Sequence, residues 1–218
     1  MGGALSNLHL YISDGQTPDY TPPTIRGGWD YTTLSNAYKM LAAKNADAQD
    51  ADTYTEYYTY TNKTALDFRG AYTLPTAIDF SNGAFTACVG GYTNNAGCTA
   101  YLRLMAFVLV GQTDVVRCTL FNGTLGGTAF ATNSTYTGRT VAATCGASCA
   151  AQSGDTLIVE FGFQWYADSN GYLLRNSYGA INASDLTDGG DGSAHPSWVD
   201  FSYAAVIDRS PLIFCGRC

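Results

Sequence analysis

Lysine and glutamate are nearly absent. The 218 residues hold three lysines (Lys39, Lys44, Lys63) and two glutamates (Glu56, Glu160). Charged residues make up 13% of the chain, against about 25% in an average domain. Helices with exposed faces are built from such residues, so their scarcity argues against a helical bundle. Eleven basic residues face 18 acidic ones, and the net charge of −7 excludes nucleic-acid binding through a basic patch. No run approaches the roughly 20 apolar residues of a membrane-spanning helix, so no membrane partner is expected. The first 13 residues have no basic region and no apolar run, and no secretory leader is expected. Sparse charge together with 46% hydrophobic residues argues against disorder. Nucleophile elbows, P-loops, H-E-x-x-H helices and dinucleotide fingerprints are all missing.

What is abundant is Gly (24), Tyr (16), Thr (26) and Ser (14). β-branched and aromatic residues suit a pleated, half-buried surface, and Gly and Asn supply the turns between strands. Alternation predicts strands over 7–13, 53–61, 65–72, 100–110, 115–121, 139–144, 156–166 and 198–207. Two features sharpen this pattern. Asn122-Gly123 reads as the end of a strand, and Tyr172–Tyr178 as the hairpin partner of 156–166. Residues 31–52 fit either a helix or an irregular arm. The expectation is an all-β protein: an antiparallel β-sandwich or jelly roll of about nine or ten strands. Its parts are an N-terminal strand and arm over 1–52, a sandwich over 53–208 and a Cys-containing tail over 209–218.

Few residues invite chemistry. Glu160, with Glu56 or an aspartate, has the residue types of a glycosidase acid pair. Its hydrophobic strand leaves open whether the side chain faces outward or into a groove. His195, beside an Asp-rich loop, lacks a recognisable nucleophile. Asp185, Asp188 and Asp191 alternate with glycines in a loop able to offer oxygen ligands to Ca²⁺, though without EF-hand spacing. The same residues are also ordinary turn formers. Tyr54, Tyr57, Tyr58 and Tyr60 suit a subunit contact or a glycan platform, because tyrosine joins an apolar body to a polar tip. Four Asn-x-Ser/Thr sites, at Asn62, Asn122, Asn133 and Asn182, matter only in a secretory setting.

Seven cysteines are present: Cys88, Cys98, Cys118, Cys145, Cys149, Cys215 and Cys218. An odd number leaves at least one thiol unpaired in a monomer. Cys88–Cys98 and Cys145–Cys149 are the expected bridges, formed after release from a reducing cytosol. The pairs at 145/149 and 215/218 also have the look of zinc ligands, and free thiols are the third alternative.

Three segments carry a resemblance. Tyr20-Thr-Pro-Pro-Thr-Ile-Arg-Gly-Gly-Trp-Asp30 resembles a recurrent Y-T-P-x-T-I-R-G-x-W-D opening. Ser153-Gly-Asp-Thr-Leu-Ile-Val-Glu-Phe-Gly162 resembles a G-D-x-L-V-V-E-x-G strand. Asp185-Leu-Thr-Asp-Gly-Gly190 with Ser197-Trp-Val-Asp-Phe-Ser202 resembles a closing D-L-x-x-G-G…W-V-x-F-S segment. In this order they resemble structural proteins of tailed bacteriophages, over about residues 10–207. The resemblance implies a β-sandwich virion component with no catalytic residues to carry over. The cysteine-containing tail departs from it.

The expected function is therefore non-enzymatic. The chain would decorate a capsid or form an exposed part of a tail, by self-association and by docking on other virion proteins such as the major capsid or tail protein. It would reside in the virion, assembled in the host cytoplasm. The docking element expected is the arm, with Trp29, Leu34, Tyr38, Met40 and Leu41 as anchors. The alternative is a carbohydrate-binding module or adhesin, with Ca²⁺ as an optional aid and no other cofactor. A self-assembling fibre subunit shares the composition but normally carries an export signal.

Overall fold

The computed structural model describes residues 5–12, 16–32, 37–44, 53–56, 62–93, 98–132, 136–145, 148–167, 172–177, 184–192 and 195–204. Among them there is no helix. Fifteen strands form: β1 (Leu5–Tyr11), β2 (Tyr31–Thr32), β3 (Tyr38–Lys39), β4 (Thr53–Glu56), β5 (Lys63–Thr73), β6 (Ile78–Asp79), β7 (Ala84–Thr93), β8 (Cys98–Leu109), β9 (Val116–Ala129), β10 (Ala131–Thr132), β11 (Thr137–Thr144), β12 (Ala150–Ala151), β13 (Thr156–Ala167), β14 (Tyr172–Ser177) and β15 (Trp198–Ala204). Five of these span two residues, and the other ten are the long strands of a β-sandwich.

One sheet has nine strands and runs β12-β6-β15-β7-β14-β4, with β1 on β15 and β10 and β11 on β7. The other has six and runs β2-β5-β13-β8-β9, with β3 on β5. Long neighbours are antiparallel; the parallel pairings (β10 with β7, β2 and β3 with β5) are confined to two-residue strands. Strict alternation on β13 builds the core. Leu157, Val159, Phe161, Phe163 and Trp165 point between the sheets and are fully or almost fully buried. They meet an aromatic cluster in which Phe85 lies 4.3 Å from Phe121 and 4.8 Å from Phe201, centroid to centroid. Aromatic pairs at such separations add about 0.5–1.5 kcal/mol each beyond their area burial.

Several expectations change. Tyr172–Ser177 is not the hairpin partner of β13: it pairs with β7 and β4 in the nine-stranded sheet. Both edges of β13 are already taken, by β5 and β8, so the chain crosses over. Asn122-Gly123 does not end a strand. β9 runs through it, and Leu104↔Thr124 followed by Ala106↔Phe121 shows one extra residue on β9 at that point. This is a β-bulge, and Gly123, at φ 70°, supplies the left-handed residue that such a bulge uses.

The arm is laced into both sheets instead of standing free. β1 pairs along its whole length with β15, and β2 and β3 pair with β5. The described part of 31–52 forms these two short strands and an isolated bridge between Leu41 and Tyr11, with no helical turn. The tail 209–218 lies outside the described residues.

The bridging of cysteines also differs. Cys149 bonds to Cys118, with Cα atoms 5.7 Å apart, and not to Cys145. Cys88 is a free buried thiol, so the expected bridge to Cys98 does not form, and Cys145 is free and buried as well. The observed bond joins β9 of one sheet to the entry of β12 in the other. A pairing across the sandwich leaves no local spacing signal in the sequence.

Candidate functional site

The outer face of the six-stranded sheet is set by the same alternation that fills the core. Ile158 and Glu160 of β13, Arg69 and Ala71 of β5, and Arg103, Met105, Phe107 and Leu109 of β8 lie on that side. A strap, residues 16–32, crosses it. Tyr20 of the strap packs against the apolar part of this face, together with Ala37. The polar part is centred on Glu160, which is 0% exposed.

The strap supplies the hydrogen bonds that a buried carboxylate demands. Backbone N–H groups of Arg26 (3.2 and 3.3 Å) and Gly27 (2.8 Å) donate to Glu160, as does the indole Nε1 of Trp29 at 3.0 Å. Arg69, facing Glu160 across β5 and β13, places its Nε 3.4 Å from Oε1 and is itself 2% exposed. Its terminal nitrogens donate to the carbonyls of Pro22, at 2.5 Å, and Thr24. Arg26 pairs with Asp114 at 3.0 Å and Thr24 donates to the same carboxylate at 2.5 Å, tying the strap to the β8–β9 turn. Arg103 lies 4.7 Å from the Trp29 ring, a cation–π contact. Asp30 closes the strap by accepting from the backbone N–H of Thr64 at 2.9 Å and from Lys63 at 3.1 Å.

Glu160 therefore faces outward, and the strap then covers it. Its oxygens are engaged by three hydrogen-bond donors of the strap and by the ion pair to Arg69. That arrangement fastens the strap to the sheet. Glu56, on β4, has no described side chain.

A second polar cluster lies on the outer face of the nine-stranded sheet. His9 and Tyr11 on β1 stand opposite Asp200 and Trp198 on β15. Asp185 accepts from Tyr11 at 3.0 Å, pairs with Lys44 at 2.9 Å and lies 3.6 Å from His9. His9 stacks on Trp198 at 5.2 Å, and Lys44 sits 5.4 Å over the Tyr11 ring. Burial, the hydrogen bond to Asp185 and the charge of Asp185 push the Tyr11 hydroxyl up to about 12. Burial works to raise the Asp185 carboxyl, but Lys44 and Tyr11 outweigh it and hold it low. Burial raises Asp200. The sequence singles out only Asp185 of this cluster, as a loop aspartate, because the other members lie as far apart as His9 and Asp200.

The three loop aspartates do not act together. Asp185 belongs to the cluster just described. Asp188 accepts from the backbone N–H of Thr140 at 3.0 Å, and Asp191 bridges to Thr137. Among the described residues no group of three or more His, Cys, Asp or Glu side chains is placed to hold a metal ion. Asp185 is paired with Tyr11 and Lys44, Asp188 with the Thr140 backbone, and Asp191 is joined to Thr137 through its backbone.

The arm residues are likewise engaged within the chain. Met40 is fully buried in the sandwich core, Tyr38 stacks on Phe68 at 5.7 Å, Leu41 bridges to Tyr11, and Trp29 serves Glu160. Leu34 lies outside the described residues, as do Tyr57, Tyr58 and Tyr60. Tyr54 lies on β4, with a side chain outside the description. A different aromatic pair is on view: Tyr166, 42% exposed, meets Tyr101 edge-on at 6.0 Å. Gln164 donates to the Tyr166 hydroxyl at 3.0 Å and to Asn62 at 2.7 Å beside them.

No protein family and no curated protein sequence matches the chain. Solved structures similar to it include that of infectious bursal disease virus strain Gx (12% identity, 72% of this chain and 36% of that chain, TM-score 0.32). The VP2 subviral particle of infectious bursal disease virus gives 14% identity over 72% of this chain and 36% of that chain, with TM-score 0.29. A CocE/NonD family hydrolase from Staphylococcus aureus gives 7% identity over 93% of this chain and 35% of that chain, with TM-score 0.31. The chain thus spans 36% or less of the length of these three solved chains.

Proposed function

We propose that this chain is a non-enzymatic structural protein of a tailed-bacteriophage virion, decorating the capsid or exposed on the tail. The reading rests on the sequence resemblance and is supported by one structural observation: the first two segments that carry the resemblance fasten one another, and the third closes on itself. Glu160 of the second segment is held by Arg26, Gly27 and Trp29 of the first. In the third, Trp198 donates to the Leu186 carbonyl at 2.8 Å and closes the loop on its strand. The residues with the most acid–base potential serve as fasteners, which suits a particle component that must persist. Quantitative mass spectrometry of purified particles tests the proposal. A copy number near that of the main shell protein, or a simple fraction of it, supports decoration. A few per cent supports a tail position. Absence from particles removes the reading.

The pair Tyr101–Tyr166 beside Gln164 and Asn62 favours a second reading, a glycan platform. Aromatic rings with adjacent amides are the groups that recognise a sugar's apolar face and hydroxyls. A glycan array with and without chelator tests it. Binding by this platform is chelator-insensitive and falls on Tyr166→Ala; no binding removes it.

A further inference from the structure

We infer that β1 is a self-pairing edge, through which two copies of this chain join their nine-stranded sheets about a two-fold axis at Asn7. The direction of the β1 hydrogen bonds follows from its end. Tyr11 donates to the Leu41 carbonyl at 2.7 Å and accepts from the Leu41 N–H at 3.1 Å, both on the side away from β15. Ile12 donates the other way, to Ser197, at 3.2 Å. Peptide groups alternate along a strand, so the N–H and C=O of Leu5, Asn7 and His9 also face away from β15. Among the described residues nothing accepts from or donates to these outward groups.

The other long outer edges are protected. β9 is broken by four register shifts. The free edge of β11 is capped by a loop, with Gly189 donating to Gly138, Gly138 to Gly190, and Asp188 accepting from Thr140. β4 is four residues long and carries Glu56. Among the described residues, β1 carries no proline, no lysine and no bulge, keeps seven consecutive rungs on β15, and is covered only at its last residue, where Leu41 bridges Tyr11.

The chemistry selects a second copy as the occupant. The chain carries −7 overall, which opposes self-association across most of its surface, yet Leu5–Tyr11 contains no Asp, Glu, Lys or Arg. An antiparallel match of this edge to itself, centred on Asn7, sets Asn7 against Asn7 and Leu5 against His9 twice. All three pairs are of the hydrogen-bonded kind, each exchanging two N–H···O=C bonds. Such an interface is isologous and closes at the dimer. The inference stands on the fold and does not need the virion reading, which its failure would leave intact.

Sedimentation velocity on the purified full chain tests it. The expected mass is twice 23.2 kDa. Asn7→Pro removes only an outward N–H, which edge strands tolerate, and converts the dimer to a monomer with an unchanged β-sheet circular dichroism spectrum and a cooperative melt. Asn7→Cys places two thiols on the axis, with Cα atoms about 5.5 Å apart, within disulfide reach. Oxidation of that variant then joins two copies through the introduced thiols, and mass spectrometry finds the β1 peptide disulfide-linked to itself. A monomeric wild type overturns the inference. So does a dimer that Asn7→Pro leaves intact, or one in which Asn7→Cys gives no such self-linked peptide.

Discussion

Arg69 and Glu160 face each other across β5 and β13, Nε to Oε1 at 3.4 Å, on the outer face of a sheet yet out of contact with solvent. The pair is inside the protein only because the strap covers it. Removing one partner leaves the other charge buried and uncompensated, a loss of about 3–5 kcal/mol. Glu160→Ala and Arg69→Met are each expected to fall in that range by urea denaturation. The double variant Glu160→Leu/Arg69→Met is expected to lose much less than the sum of the two single losses, because no charge remains stranded. Additive losses would show that the two side chains act separately.

Gly27 sets how closely the strap approaches Glu160. A Cβ placed there would stand 2.2 Å from the Trp29 indole nitrogen, the atom that donates to the carboxylate. Gly27→Ala must displace the indole or the strap, and is expected to cost about 1–3 kcal/mol through a lost buried hydrogen bond. Trp29 fluorescence should shift to the red as the ring gains water. An unshifted spectrum with full stability would mean that the strap is not held through this contact.

The Cys118–Cys149 bond closes a span of 31 residues between the two sheets. Loop-closure entropy for that length gives about 3.5–4 kcal/mol at 25 °C. Cys118→Ser is expected to lower stability by up to that amount under non-reducing conditions and to change nothing in reductant. Non-reducing peptide mapping should find 118 joined to 149. A 145–149 peptide in its place would restore the pairing that the local spacing suggests.

Excising residues 1–52 is expected to unfold the sandwich instead of releasing a soluble core. The cut removes β1 from β15, the strap from Glu160 and Arg69, and Met40 from the core. Circular dichroism of the truncated chain checks this: a retained cooperative β-sheet melt would show that the segment is dispensable for folding.

The long strands were legible because alternation and apolar runs are local. Residues 100–110 and 156–166 correspond to β8 and β13, the centre of one sheet. What alternation cannot convey is which strands become neighbours. β14 follows β13 in the chain yet joins the other sheet, because β13 has no free edge. The strap was misjudged for a related reason. Tyr20–Asp30 has no periodic pattern of its own, and its partners Glu160, Arg69 and Asp114 lie 45 or more residues away. Sequence alone shows Glu160 as an acid in an apolar strand, of the residue type of a glycosidase pair. Its meaning depends on the segment folded over it. The cluster around Asp185 was hidden in the same way, since an Asp/Gly loop signals a turn or a metal equally well.

Acid sensitivity is expected to centre on Asp155. Its carboxylate is almost fully buried, pairs with Arg117 at 2.5 Å and accepts from the backbone of Gln152 at 2.7 Å and Gly111 at 2.8 Å. Burial alone would raise its pKa; Arg117 and the two N–H groups more than offset this and hold it below the ordinary carboxylate value. A carboxyl with a lowered folded pKa contributes stability that is fully present above its unfolded value of about 3.9 and is lost as pH falls through the folded one. Asp30, Asp114 and Asp185 are lowered too, but each is about a third exposed or more, so solvent screening reduces their share. Asp200 is raised and works in the opposite sense, since its protonation on acidification relieves a buried charge. The balance is a melting temperature that is flat near neutrality and falls below about pH 4. Asp155→Asn should lower stability at neutral pH and flatten the acid limb. An equally steep acid limb in that variant would place the titrating group elsewhere, with the strap carboxylates the next to test.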